Sequence, residues 1–238
     1  MIKYLTNTAL FFFDFFHKIK IIKFLKKLRI TDINIFFDVG AHRGESINFF
    51  SKHLKINKIY SFEASLKNFK NLTKKYNNKK NIFLENIALS SDISEKEFNQ
   101  CDESSSSTFS QINKKSKYLE KKMKYLNIDN SEIFFKTIKI TTNTLDNYID
   151  EKEINIIDLI KIDTEGHEYE ILKGLKKNLC NVKTIIFEHH YDNMLKKNYT
   201  FSDINQYLLN NSFKKIFKIK MPFRKSFEYI YINSKLVL

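Results

Sequence analysis

From residue 33 onward, short apolar runs alternate with stretches of helical period. Ile33–Val39 (I-N-I-F-F-D-V) predicts a buried strand ending at a glycine, and Ser46–Leu54 the helix after it. Lys58–Glu63 predicts a second strand. Leu66–Tyr76 predicts a helix with Leu66, Phe69 and Leu72 on one face, and Asn81–Leu84 a third strand. Further on come a strand at Asn155–Ile162, a helix over Glu168–Leu179, a strand at Val182–Glu188 and a helix at Ser202–Asn210. Phe213–Ile219 and Tyr229–Ile232 predict a closing antiparallel pair. Strands alternating with helices predict an α/β fold with a doubly wound, mostly parallel sheet.

Two stretches break this rhythm. In residues 1–32, the apolar run Ala9–Phe16 is interrupted by Asp14 and is far shorter than the about 20 residues of a membrane span. No small-residue cleavage site follows it, so a secretory signal is not expected. Next, Ile21, Phe24, Leu25 and Leu28 fall on one helical face and Lys20, Lys23 and Lys27 on the other. This basic amphipathic segment is expected to pack on the domain or on a second subunit, with peripheral membrane contact as the alternative. Residues 33–238 are expected to form one domain, with an insertion at about 91–135 on the substrate side. That insertion carries a serine run, Ser104–Ser107, read as a mobile lid, and a lysine-rich helical stretch, Lys114–Lys124.

Composition narrows the classes. The chain has 238 residues with only 4 Gly and 1 Pro, against roughly 17 and about 12 at average usage. Collagen-like and Pro-rich classes are excluded. Each remaining glycine (Gly40, Gly44, Gly166, Gly174) is expected where no other residue serves. Hydrophobic residues make up 42% and include 23 Phe, which excludes a disordered chain. Cys101 and Cys180 have no zinc or CxxC spacing and are read as reduced thiols of a cytoplasmic protein. The formal charge of +14 fits nucleic acid or an anionic membrane as partner. An AT-rich coding bias toward Lys, Asn, Ile and Phe produces the same excess, and most of the lysines are read that way.

Four segments carry candidate chemistry, all at predicted strand ends. Asp38-Val39-Gly40-Ala41-His42-Arg43-Gly44 follows a strand and opens a helix, the context of a cofactor loop. His42 stands where a dinucleotide fingerprint has its middle glycine, which argues against close approach by a pyrophosphate and leaves room for a nucleoside. Glu63 lies about 20 residues beyond, where a carboxylate accepts ribose hydroxyls. Lys161-Ile162-Asp163-Thr164-Glu165-Gly166-His167-Glu168 places three acids and a His at one strand end. Asp163 and Glu165 alone are a thin ligand set for a divalent cation, so no metal is assigned. Phe187-Glu188-His189-His190 ends the next strand. A His beside an acid is a candidate general base, and adjacent residues on a strand point to opposite sides.

Together these segments resemble the FkbM-type S-adenosylmethionine-dependent methyltransferases. The matching residues are the loop at 38–44, F-E at 62–63, N-I-A-L-S at 86–90, T-L-D at 144–146, L-I-K-I-D-T-E-G-H-E at 159–168, I-L-K-G at 171–174 and I-I-F-E at 185–188. Ala64 stands where the family commonly has proline. The resemblance implies a class I (Rossmann-like) methyltransferase fold: a seven-stranded sheet with one antiparallel strand. It implies S-adenosyl-L-methionine as cofactor and a hydroxyl of a sugar, glycan or natural product as acceptor. On that basis Asp38, Gly40, Ala41, His42, Gly44, Glu63, Ala64, Asn86, Ala88 and Asp163 are expected at the cofactor, with Glu63 on the ribose and Asn86 and Ala88 near the adenine. Asp163, Glu165, Glu188 and His189 are expected at the reaction centre, with the base left open among His189, Glu188 and Asp163. Two competing readings are an RNA methyltransferase and a nucleotide-binding protein without methyl transfer.

Overall fold

The computed structural model describes residues 2–101, 106–126 and 135–237, with side chains from residue 13 onward except those of 122, 125 and 126. In chain order the strands are β1 (Asp32–Val39), β2 (Lys55–Phe62), β3 (Ile82–Glu85), β4 (Ala88–Leu89), β5 (Glu95–Cys101), β6 (Gln111–Ile112), β7 (Phe135–Asn143), β8 (Ile157–Ile162), β9 (Val182–His190), β10 (Leu195–Lys196), β11 (Phe213–Lys220) and β12 (Ser226–Asn233). The helices are α1 (Ile2–Lys27), α2 (Glu45–His53), α3 (Leu66–Tyr76), α4 (Lys117–Leu126), α5 (Leu145–Glu151), α6 (Glu168–Lys173) and α7 (Phe201–Asn210).

Seven strands form one sheet in the order β11-β12-β9-β8-β1-β2-β3. Only β12 within that sheet runs against its neighbours, pairing antiparallel with both β9 and β11. The expected doubly wound sheet with one antiparallel strand is therefore present. Apolar runs on both strand faces produce it: Phe36 packs with the helices on one side of the sheet and Phe37 with those on the other. The first side carries α1, α2 and α3 through Ile21, Leu25, Phe50 and Leu72. The second carries α5, α6 and α7 through Tyr148, Leu172 and Leu208.

The N-terminal helix is thus part of the domain core. Ile21, Ile22 and Leu25 are almost fully buried. His17 also reaches down to Glu228 of β12, with Nε2 2.5 Å from a carboxylate oxygen. None of the described helices is long and apolar enough to cross a membrane.

Several boundaries differ from the sequence reading. The helix expected over Glu168–Leu179 stops at Lys173. A Cβ on Gly174 would lie 2.0 Å from the Ser90 carbonyl oxygen, so the chain turns there against the β4 segment. The insertion contains structure that the alternation did not predict. β5 pairs antiparallel with β7, and β4 joins β7 on its other side. The predicted lysine-rich helix is α4. Ser104 and Ser105 of the serine run lie outside the described residues, as do 127–134. Ser106 and Thr108 are buried, which does not fit a loose lid at those positions. Cys101 and Cys180 are both free thiols.

Candidate functional site

A cleft of about 570 Å³, open solvent at its mouth included, lies where β1, β2 and β8 end. Its apolar walls include Phe62, Ile87, Leu89, Phe98, Phe109 and Ile171. The loop after β1 lies flat against the turn after β8. Gly40 has φ +83°, and a Cβ there would sit 2.0 Å from the Asp163 carbonyl oxygen. Only glycine combines that φ with that approach. The N–H groups of Gly40 and Ala41 both donate to the Phe62 carbonyl at 3.0 Å, pinning the loop to the end of β2.

Glu63 stands at that pinned junction and is 6% exposed. Its carboxylate accepts the His42 N–H at 2.7 Å and the Ser65 N–H at 2.8 Å, with Asn68 Nδ2 at 3.5 Å. Burial pushes its pKa up, and these donors pull it back. Asn86 serves the same junction from behind: its Nδ2 donates to the Glu63 carbonyl at 2.8 Å and the Ala64 carbonyl at 3.3 Å.

The acidic turn after β8 is folded by its own side chains. Buried Glu168 accepts the Gly166 N–H at 2.9 Å and the Tyr199 hydroxyl at 2.7 Å. From outside, Thr108 donates its hydroxyl to the Glu165 carbonyl at 2.6 Å and Ser110 to the Gly166 carbonyl at 2.9 Å. The insertion is fastened to the turn it covers. Glu165 itself has φ +52°, a conformation that costs a non-glycine residue energy and that the surrounding bonds enforce. Asp163 receives Lys161 Nζ at 2.7 Å. Burial is the largest influence and opposes its ionisation, but the charge and hydrogen bond of Lys161, together with His190 and Lys18, outweigh it and hold the carboxyl down to about 2.

A charged row runs beneath this turn, on the α1 side of the sheet. Strand register aligns Asp38 with Lys161, and Glu188 with Glu228. Period-2 alternation places these four side chains, with His190, on one face. Asp38 is fully buried with neither carboxylate oxygen hydrogen-bonded, and burial raises its pKa to about 7 against the pull of Lys161. His190 Nε2 lies 3.4 Å from Glu188 and 3.5 Å from Glu165, and its Nδ1 lies 3.4 Å from Asp192. Burial lowers the His190 pKa, but Glu165, Asp192 and Glu188 outweigh it and raise it to about 10. Glu188 is pushed up to about 7 by burial and by Asp163.

The cavity brings together Gly40, His42, Glu63, Ala64, Asp163 and Glu165 of the expected residues. It leaves out others. Asp38 and Ala41 face the α1 side of the sheet, and Gly44 abuts Tyr76. Asn86 braces the loop, and Ile87 and Leu89 form the wall where Ala88 was expected. Glu188 lies beside the cavity, in contact with His190. His189 is corrected: it points to the opposite face, where Tyr191, Tyr199 and Phe201 surround it, and burial lowers its pKa to about 3. His190 is the histidine on the site's side, and the spacing of two from Glu188 was the signal for it. Lys161 was also missed as a contributor, as were Phe98 and Phe109 from the insertion. Among the described residues no group of three His, Cys, Asp or Glu side chains is arranged to hold a metal ion.

A family model for the methyltransferase FkbM domain matches residues 38–215. An FkbM methyltransferase structure from Methylobacillus flagellatus KT is similar at TM-score 0.52 and 14% identity, over 84% of this chain and 44% of that one. TrmK from M. capricolum, in complex with S-adenosyl-homocysteine, is similar at TM-score 0.48 and 11% identity, over 88% and 67% of the two chains. A SAM-dependent methyltransferase from Aquifex aeolicus is similar at TM-score 0.46 and 15% identity, over 89% and 88%. No curated protein matches the sequence.

Proposed function

Because the chain belongs to the FkbM methyltransferase family, whose methyl donor is S-adenosylmethionine, we propose that it methylates a hydroxyl oxygen of a sugar, glycan or natural-product acceptor. One observation carries this reading. The glycine turn after β1, the Glu63 carboxylate and Asp163 converge on one cavity at the carboxyl ends of a doubly wound sheet. That is where such sheets bind nucleoside-containing ligands.

The residues present fit the cofactor. An ionised carboxylate offers about four acceptor directions, and the three donors on Glu63 leave one for a ribose hydroxyl. Phe62, Ile87, Leu89 and Ile171 give an apolar wall suited to a purine, while Gly40, His42 and Asp163 form the polar end. When bound, S-adenosylmethionine supplies a methyl group activated on a sulfonium. The protein's task is then to align the acceptor oxygen and take its proton. This reading assigns the base to Glu188, which stands 3.4 Å from His190 at the edge of the cavity and whose carboxyl burial raises to about 7. His190, already protonated at neutral pH, supplies positive charge beside Glu165 and Glu188 instead of accepting a proton.

The test is a pair of calorimetric titrations, with S-adenosylhomocysteine and with NAD. The first is expected to bind and the second not; the reverse result would remove the cofactor assignment. Glu63→Ala is expected to weaken S-adenosylhomocysteine by roughly tenfold or more, the loss of a charged hydrogen bond of about 1.5–3 kcal/mol. Incubating the wild type with S-adenosylmethionine and a panel of sugars then reads the acceptor atom directly. Methylation at nitrogen or carbon alone would refute the oxygen-acceptor reading.

A further inference from the structure

A second concavity, of about 1040 Å³, lies between α4 and the ends of β9 and β12. Lys115, Lys117 and Lys121 line one side, Lys225 the other, and Tyr118 and Tyr191 supply ring faces. Both walls are held in place. Ser116 donates its hydroxyl to Asn193 Oδ1 at 2.8 Å, the Asn113 N–H donates to the Met194 carbonyl at 2.8 Å, and Leu119 packs with Met194 and Leu195. Across the groove, the Tyr191 N–H donates to the Lys225 carbonyl at 2.6 Å.

The groove communicates with the reaction centre through few side chains. Asp192 lines it and stands 3.4 Å from His190, which stands 3.5 Å from Glu165, and Glu165 lines the cofactor cavity. Tyr118 feels the charges of Asp192, Glu165 and Glu188 from the same floor. An acceptor seated here would therefore be separated from the cofactor cavity by Asp192, His190 and Glu165.

The charge in this groove is uncompensated. All four lysines are exposed, and none has an ion-pair partner among the described residues. Asp192 is already engaged by His190 and by the Met194 N–H. A neighbouring groove of about 1120 Å³ beside His167 differs. There Lys96 is paired with Asp92 at 2.7 Å and Lys173 with Glu170 at 2.6 Å, Lys197 donates to the His190 carbonyl, and of that groove's four lysines Lys196 alone lacks such a partner among the described residues. Four like charges around one concavity repel each other, and an anionic ligand removes that cost. The enclosed part, about 580 Å³, has the size of a small-ligand site, and tyrosine rings suit the apolar face of a sugar.

We infer that this groove seats the acceptor, and that the acceptor is a sugar bearing a phosphate or carboxylate. The inference rests on the methyltransferase reading above and narrows its substrate class. The test is calorimetry on the full chain with S-adenosylhomocysteine present, using glucose 1-phosphate, glucuronate and methyl glucoside as probes. At least one anionic probe is expected to bind about tenfold or more tightly than methyl glucoside, and the order of the two identifies phosphate or carboxylate. Lys117→Glu with Lys225→Glu is expected to lose about tenfold or more of that affinity and to keep S-adenosylhomocysteine affinity. Lys70→Glu with Lys74→Glu, on the exposed face of α3, is expected to keep both. Three results overturn the groove while leaving methyl transfer intact: equal binding of charged and neutral sugars, anion binding that survives the groove substitutions, or equal loss in the α3 variant. Single-stranded RNA binding more tightly than every sugar, with that affinity lost in the groove variant, overturns it in favour of a nucleic-acid site. Failure of S-adenosylhomocysteine to bind the wild type takes both readings down.

Discussion

The carboxyl end of β9 places an acid and a histidine in each other's fields, and each field decides the other's protonation. Three carboxylates surround His190, so the ring holds its proton up to about pH 10. Glu188 is buried near Asp163 and holds its own proton until about pH 7. The carboxylate is therefore the member that changes state near neutrality. Its basic form appears as pH rises, so turnover is expected to climb through about pH 7 and then level. Glu188→Gln should abolish that limb and reduce turnover by roughly 10²-fold or more. A rate flat from pH 6 to 8 in the wild type would rule Glu188 out as the base. Sequence made the acid legible and missed the histidine. Alternation puts residue 190, not 189, beside 188, and which face is the site's face depends on the packed sheet. Similarly, Asp38 carries a motif position but faces away from the cavity, because β1 turns Val39 toward it.

At the scale of elements, strands with long apolar runs were legible and mixed ones were not. β1, β8 and β9 are covered by helices on both sides, so their sequences are apolar on both faces. β5 (E-K-E-F-N-Q-C) and β7 (F-K-T-I-K-I-T-T-N) are polar at most positions because they lie outside that sandwich. Their polar residues read as loop. The early end of α6 depends on a close approach between Gly174 and the Ser90 carbonyl, which no local pattern encodes. For α1, the stripe of Ile21 and Leu25 was legible, and what it covers was not. The structure sets it on the same core as Phe36, Phe50 and Leu159. Leu25 is fully buried there, so Leu25→Ala is expected to cost about 2–5 kcal/mol in urea unfolding. A cost under about 0.5 kcal/mol, the range of surface substitutions, would mean that the helix is only loosely attached.

For the whole molecule, the cavity matters because its lining comes from distant parts of the chain. Val39 to His42, Phe62 to Ala64, Ile87 to Phe109 and Asp163 to Ile171 meet only in the finished fold. The insertion is bonded to the acidic turn through Thr108 and Ser110, and to the segment after β9 through β6 and β10. A ligand in the cavity therefore spans both the sheet and its cover, and a chain that has lost either loses the site. Binding to the folded state alone stabilises by about 2.7 kcal/mol at a ligand concentration of 100 Kd. For a domain of this size, each kcal/mol raises Tm by roughly 2–4 °C. S-adenosylhomocysteine at that concentration is thus expected to raise Tm by about 5–11 °C, in one transition followed equally by near-UV and far-UV circular dichroism. Two transitions, with only one moved by ligand, would show that the insertion unfolds independently of the sheet. The cavity would then be a property of the sheet alone, and the hydroxyl-to-carbonyl bonds from Thr108 and Ser110 would not couple the two.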